Sequence, residues 1–209
     1  MVALLLTAAC SYPVSVPPSP ALDVYASYTD KITGKYALYV DATSFTRTVS
    51  ATGEICSAHN YPINANDAFK ASAVKTLEQL VENVEVVDAP IAREALAERG
   101  YRGMIVIKSD EYSARLMFVP GFWQATATAS ADISARILVD GPEGRLFGTS
   151  GSASRSYDSS TGSCGGGAEA LSHATSMAMK EMFERLGERF ANEPKLRHPQ
   201  PQTATSPSS

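Results

Sequence analysis

Residues 125–139 read ATATASADISARILV, and every odd position from Ala125 to Val139 is Ala, Ile or Val. The even positions are Thr126, Thr128, Ser130, Asp132, Ser134, Arg136 and Leu138. A period of two over fifteen residues belongs to a β-strand with one buried and one wet face, because successive side chains point to opposite sides of the pleat. The buried positions are mostly alanine, so whatever covers this strand packs against it unusually closely. DGPEG at 140–144 supplies a turn, and 145–157 should return antiparallel.

The covering element is expected at 168–190, AEALSHATSMAMKEMFERLGERF. There Leu171, Ala174, Thr175, Ala178, Met179, Met182, Leu186 and Phe190 fall on one helical stripe, with Glu181, Glu184, Arg185, Glu188 and Arg189 opposite. Working toward the N-terminus, EYSARLMFV and MIVIKS read as two strands, with Asp110 and Glu111 as turn residues between them. PIAREALAERG reads as a helix with Pro90 at its first turn and Gly100 as its stop. NANDAFKASAVKTLEQLVENVEVVD carries a longer one, capped by Asn66 or Asp67 with Phe69, Ala73, Leu77, Leu80, Val81 and Val84 on one face, and it feeds a short strand at 84–87. KYALYVD alternates as a first strand that Phe45 to Val49 would continue. The order predicts an α+β fold: a mainly antiparallel sheet with two or three helices packed on one face.

Composition narrows the function classes. The formal charge is −4, with 18 Lys and Arg against 22 Asp and Glu, and no long run of one sign. Nucleic acid is therefore not an expected partner. The apolar run Val2 to Ala9 is far short of the roughly 18 residues a spanning helix needs. Catalysis is not expected either. Of the three histidines one lies in the tail, His59 sits in HNYP, and His173 leans off the apolar stripe of the last helix. GTSGSASRS lacks the strand-to-helix elbow of a serine hydrolase, and GSCGGGAEA lacks the Lys-Ser/Thr of a phosphate loop, so no cofactor is expected.

The N-terminus is more specific. A short apolar run ends in small residues and a cysteine, Leu6-Thr7-Ala8-Ala9-Cys10, and this resembles the signal of bacterial lipoproteins, with Thr7 where leucine is usual. The resemblance implies that residues 1–9 are a signal peptide and that Cys10 becomes the lipid-bearing first residue. It also implies, with Ser11 rather than Asp after the cysteine, an outer-membrane address. Pro13, Pro17, Pro18 and Pro20 then make residues 10–24 an extended tether, leaving a single domain over 25–192 and a disordered tail over 193–209. In element order the chain also resembles small accessory lipoproteins of the cell envelope, without a shared motif that carries residues across.

Export would leave Cys56 and Cys164 in an oxidising compartment, where a disulfide is the default. Two alternatives stand beside it: unpaired thiols, or a zinc set in which His59 and His173 join the two cysteines. FVPGFWQ gathers Phe118, Phe122 and the sole tryptophan, Trp123, around a turn, either as a contact for a partner or as a cap on the core. The reading that follows is an outer-membrane-anchored, non-enzymatic binding component of an envelope assembly, secretion or transport complex. The alternatives are a small metal-binding protein or hydrolase using His59 and His173, and a lipid-binding module between the alanine-lined sheet and the last helix.

Overall fold

The alternation at 125–139 is realised as a strand of 17 residues, and its neighbours organise the rest of the chain. The computed structural model describes residues 11–197. In chain order the strands are β1 (Ile32–Asp41), β2 (Thr46–Ser50), β3 (Thr52–Gly53), β4 (Asn60–Asn64), β5 (Val81–Val86), β6 (Gly103–Val119), β7 (Ala125–Gly141) and β8 (Gly144–Thr161). The helices are α1 (Asn66–Leu80), α2 (Arg93–Glu98), α3 (Gly166–Ala191) and α4 (Pro194–Arg197). Among the described residues the main sheet runs β5-β1-β6-β7-β8, with β3 added to the end of β6, and β2-β4 forms a second, two-stranded sheet. The fold is α+β. The main sheet is mixed: β1 pairs parallel with both β5 and β6, while the long β6-β7-β8 meander is antiparallel.

α3 lies on the alanine face of β7. Ala127, Ala129, Ala131 and Ala135 are fully buried with Leu171, Ala174, Ala178 and Met182 of the helix in one core cluster. A methyl-sized side chain on the strand lets the helix axis approach, and the place considered for a lipid is taken by the helix itself. The reading of a lipid module between sheet and helix is thereby corrected. α1 packs beside α3 through Phe69 and Phe183, whose ring centroids are 5.1 Å apart. Of the helices, α2 is on the other side: its Leu96 is buried with Ala37 and Met104, which alternate with the core-facing Leu38 and Ile105. The expected single helical face therefore holds for α1 and α3 but not for α2.

Four local expectations change. The segments MIVIKS and EYSARLMFV are one strand, β6, because the register slips by one residue between Ser109 and Glu111. This bulge moves the buried set from Ile105, Ile107 and Ser109 to Tyr112, Ala114, Leu116 and Phe118, so the period of two breaks in the sequence although the strand continues. Asp110 is the extra residue, and Arg136 on β7 donates to it at 2.7 Å. Residues 46–50 do not prolong β1; they leave the main sheet and pair with β4. Val81 and Val84 belong to β5 rather than to the helix, which ends at Leu80. α1 also has no side-chain cap of its own: Asn64 accepts from the Asn66 backbone instead.

Residues 11–24 are extended, as the prolines require, but they do not form a free tether. Tyr12 and Val14 donate backbone hydrogen bonds to Asn60 and Pro62 of β4, both at 2.9 Å, and Ser19 and Ala21 donate to the Ser72 and Thr76 hydroxyls of α1 at 2.8 and 3.0 Å. Four of the intervening residues are prolines with no donor to satisfy, so an edge position suits this composition. Val14 and Ala21 are buried. The start of the tail behaves likewise: α4 folds back, Leu196 is fully buried and Arg197 lies over the Tyr28 ring. The signal peptide 1–9, Cys10 and residues 198–209 lie outside the described residues.

Gly167 marks a tight contact of helix and sheet. A Cβ there would stand 2.7 Å from Leu116 Cδ2 and 2.9 Å from both Phe118 and Tyr61. Three side chains would have to move at once, so Gly167→Val is expected to cost about 1–3 kcal/mol by overpacking. Urea unfolding measures it, and an unchanged midpoint would mean that the helix start can shift freely.

Candidate functional site

One end of the molecule collects most of the residues singled out in the sequence. β6 ends there, β7 begins there, β8 ends there and α3 starts there. The loop between β3 and β4 reaches the same place, and Cys56 is joined to Cys164 with a Cα–Cα separation of 5.5 Å across 108 residues of sequence. The bridge ties this loop to the lead into α3. Cys56 itself has φ of 61°, a left-handed conformation uncommon for a residue with a side chain, inside a turn closed by the His59 amide donating to its carbonyl at 3.0 Å.

Beneath the bridge is an aromatic stack. Tyr12 lies over His59 and Tyr61 with centroids 5.4 and 5.7 Å away, and Tyr61 leans on Phe118 at 6.5 Å. The Tyr61 hydroxyl donates to the Cys164 carbonyl at 2.6 Å. Its ring is buried, and loss of solvation of the phenolate, with a smaller contribution from Tyr12, pushes its pKa up to about 12. Tyr61 is therefore a neutral donor that holds the disulfide loop, not an acid or base.

The three aromatics of FVPGFWQ separate. Phe118 is 1% exposed and belongs to the core, whereas Phe122 and Trp123 are 90% and 89% exposed. They sit on the β6–β7 turn, edge to face with centroids 4.8 Å apart. Met117 and Val119, on the outer face of β6, add partly exposed apolar surface next to them. Between this turn and the bridge lies a groove of about 420 Å³, walled by Ile55, Cys56, Phe118, Trp123, Thr161 and Cys164.

The expected catalytic and metal candidates do not assemble. Both sulfurs are spent in the bridge, so the set Cys56, His59, Cys164 and His173 has no thiolate to offer a metal. His59 stacks on Tyr12 and reaches only the Cys56 carbonyl of its own turn, 3.3 Å away. His173 stacks on Tyr157 at 4.5 Å, with Glu169 3.9 Å from its Nε2. Among the described residues no three of His, Cys, Asp and Glu gather into a group able to hold a metal.

The sequence reading missed Tyr12, Ile55 and Thr161 as parts of this end, and it missed how little formal charge its segments carry, the exposed Glu54 of the disulfide loop and Glu169 in the first turn of α3 being acidic residues at its border. Residues 11–22, 55–66, 116–131 and 159–168 are all free of Asp, Glu, Lys and Arg. That signal is readable in the sequence, but only once the fold shows that the four stretches meet.

No family model matches the chain, and no curated relative does. Several solved structures are similar to it in chain path. Protein XCC0632 from Xanthomonas campestris, of family DUF330, is 13% identical over 88% of this chain and 95% of its own, with a TM-score of 0.49. A minor lipoprotein from Acinetobacter baumannii is 9% identical over 74% and 90%, with a TM-score of 0.37. PelC, a dodecamer from Paraburkholderia phytofirmans, is 12% identical over 84% and 96%, with a TM-score of 0.38. Values this low carry no function across, so the role of this chain is argued from its own residues.

Proposed function

We propose that this chain is a cell-envelope lipoprotein, acylated at Cys10 and held at the outer membrane, that serves as a non-enzymatic binding component of an assembly, secretion or transport complex. The observation that carries this reading is the bond between Cys56 and Cys164. Such a bridge persists in an oxidising compartment, and export to one is what a lipobox-like run at residues 6–10 provides. Binding rather than turnover fits the histidines, each stacked on a tyrosine and neither beside a free nucleophile.

The test is the mature N-terminus. Mass spectrometry of the protein purified from membranes should find Cys10 as the first residue, bearing a thioether-linked diacylglycerol and an amide-linked acyl chain. Cross-linking in intact cells, with the anchor kept, should then join the domain to an envelope protein. A mature chain that still carries residues 1–9 and fractionates with the cytosol would overturn the reading.

A further inference from the structure

The course of residues 11–27 fixes which end of the domain faces the anchor. Ser11 and Val14 pair parallel with Asn60 and Ile63, so the chain enters at the disulfide end and runs away from it. It then follows α3 from start to finish. The Ser172 hydroxyl donates to the Ser15 carbonyl near the helix start, Val24 meets Gly187 in its last turns, and Ser27 donates to Asn192 just past its end. The described chain therefore starts, at Ser11, where α3 begins. The Tyr12 ring packs against Gly165 in the residues leading into that helix, and the neighbouring Cys164 lines the same groove as Trp123.

With Tyr12 fixed to β4 at 2.9 Å, Cys10 is only two residues from an ordered backbone hydrogen bond. Two residues reach at most roughly 7 Å. Acyl chains on Cys10 must enter the hydrocarbon, so this end of the domain cannot stand off the lipid surface as it could on a free fifteen-residue tether. What it presents to that surface suits the place. Residues 11–22, 55–66, 116–131 and 159–168 hold no Asp, Glu, Lys or Arg, and the exposed Glu54 and Glu169 that border them keep their hydration at headgroup level, so little formal charge is desolvated. They expose a phenylalanine and a tryptophan, the side-chain types that settle at the boundary of headgroups and acyl chains.

We propose that the charge-poor disulfide end lies directly on the bilayer that holds Cys10, with Phe122 and Trp123 inserted among the lipid headgroups as a second, non-covalent anchor. This rests on acylation at Cys10. The anchored domain then has a fixed orientation, α3 starting at the membrane and its C-terminal end directed away, and a protein partner is met by surfaces other than the β6–β7 turn.

Trp123 is the chain's one tryptophan, so its fluorescence reports this turn alone. The full acylated protein is reconstituted into vesicles of phosphatidylethanolamine and phosphatidylglycerol, with and without phospholipids brominated along their acyl chains. Trp123 emission is expected to shift to the blue of that of unacylated protein in buffer, and to lose most of its intensity to the brominated lipid. Phe122→Ser should weaken the quenching while the thermal midpoint stays in place, since the side chain touches little of the core. An acylated protein that floats with the vesicles but keeps a water-like, unquenched tryptophan overturns the membrane contact and leaves the anchor standing. A shift that needs an added envelope protein and no brominated lipid overturns it in favour of a protein contact. A chain that carries no acyl group and does not float overturns both this inference and the reading it rests on.

Discussion

Replacing Cys56 and Cys164 together by serine is expected to lower the stability of the domain by up to about 4.7 kcal/mol, the chain-entropy value for closing a loop of roughly a hundred residues. Few single features of this fold approach that size, given total stabilities on the order of 5–15 kcal/mol. The loss should be felt most where the bridge acts. Cys56 holds a left-handed backbone, Tyr61 donates to the Cys164 carbonyl, and the groove has both sulfur-bearing residues in its wall. Without the covalent tie, the 54–59 loop is kept by the His59 turn, the Ala51 amide on the His59 carbonyl, the Tyr12 stack, the packing of Ile55 on the core and the two-residue pairing of β3 with β6. Urea unfolding of the double variant against the oxidised protein measures the loss. Hydrogen exchange should show faster opening of residues 54–64 and 161–168 than of the β6–β7 ladder. Unchanged stability would mean that the reduced chain already holds these segments together in its unfolded ensemble.

The long antiparallel meander and the last helix were legible in the sequence for a plain reason: period two over β7 and period 3.6 over α3 are each sustained long enough to be unambiguous. The alanines of β7 even announced how near the helix would come. What the sequence hid are features that local pattern does not encode. The bulge at Asp110 flips the buried parity in mid-strand and so reads as an interruption. Residues 46–50 alternate well enough to extend β1, yet they leave the main sheet because their partner, β4, lies beyond a disulfide loop. Four prolines between residues 13 and 20 look like a solvated spacer, and only tertiary acceptors, the β4 carbonyls and the Ser72 and Thr76 hydroxyls, make an edge strand of them. The site was half legible for the same reason. Phe122 and Trp123 stood out by type, but Phe118 two residues before Pro120 looks identical in sequence and differs only in facing α3.

The last expected result concerns the anchor. Cys10→Ser should remove the protein from the membrane fraction, whereas its fold should be indifferent to the change. The two halves of that statement come from different parts of the structure. Stability is expected to hold because the contacts that fix this segment among the described residues come from later positions: Tyr12 and Val14 keep their bonds to β4, and Ser19 and Ala21 theirs to α1. A substitution that leaves those contacts in place usually moves stability by about 0.5 kcal/mol or less. Membrane attachment, by contrast, loses nearly all of its free energy. Each acyl chain contributes about 0.8 kcal/mol per buried CH₂, and a lone fourteen-carbon chain already gives only marginal, reversible binding. Two aromatic side chains, at roughly 1.5–3 kcal/mol each when fully buried, hold less than that one chain. The aromatic turn therefore orients an acylated domain but cannot retain an unacylated one, and the variant should leave the membranes on washing with the thermal midpoint of the native protein. If Cys10→Ser stayed membrane-bound through such a wash, some other part of the chain would be the anchor, and the orientation derived from residues 11–27 would lose its premise.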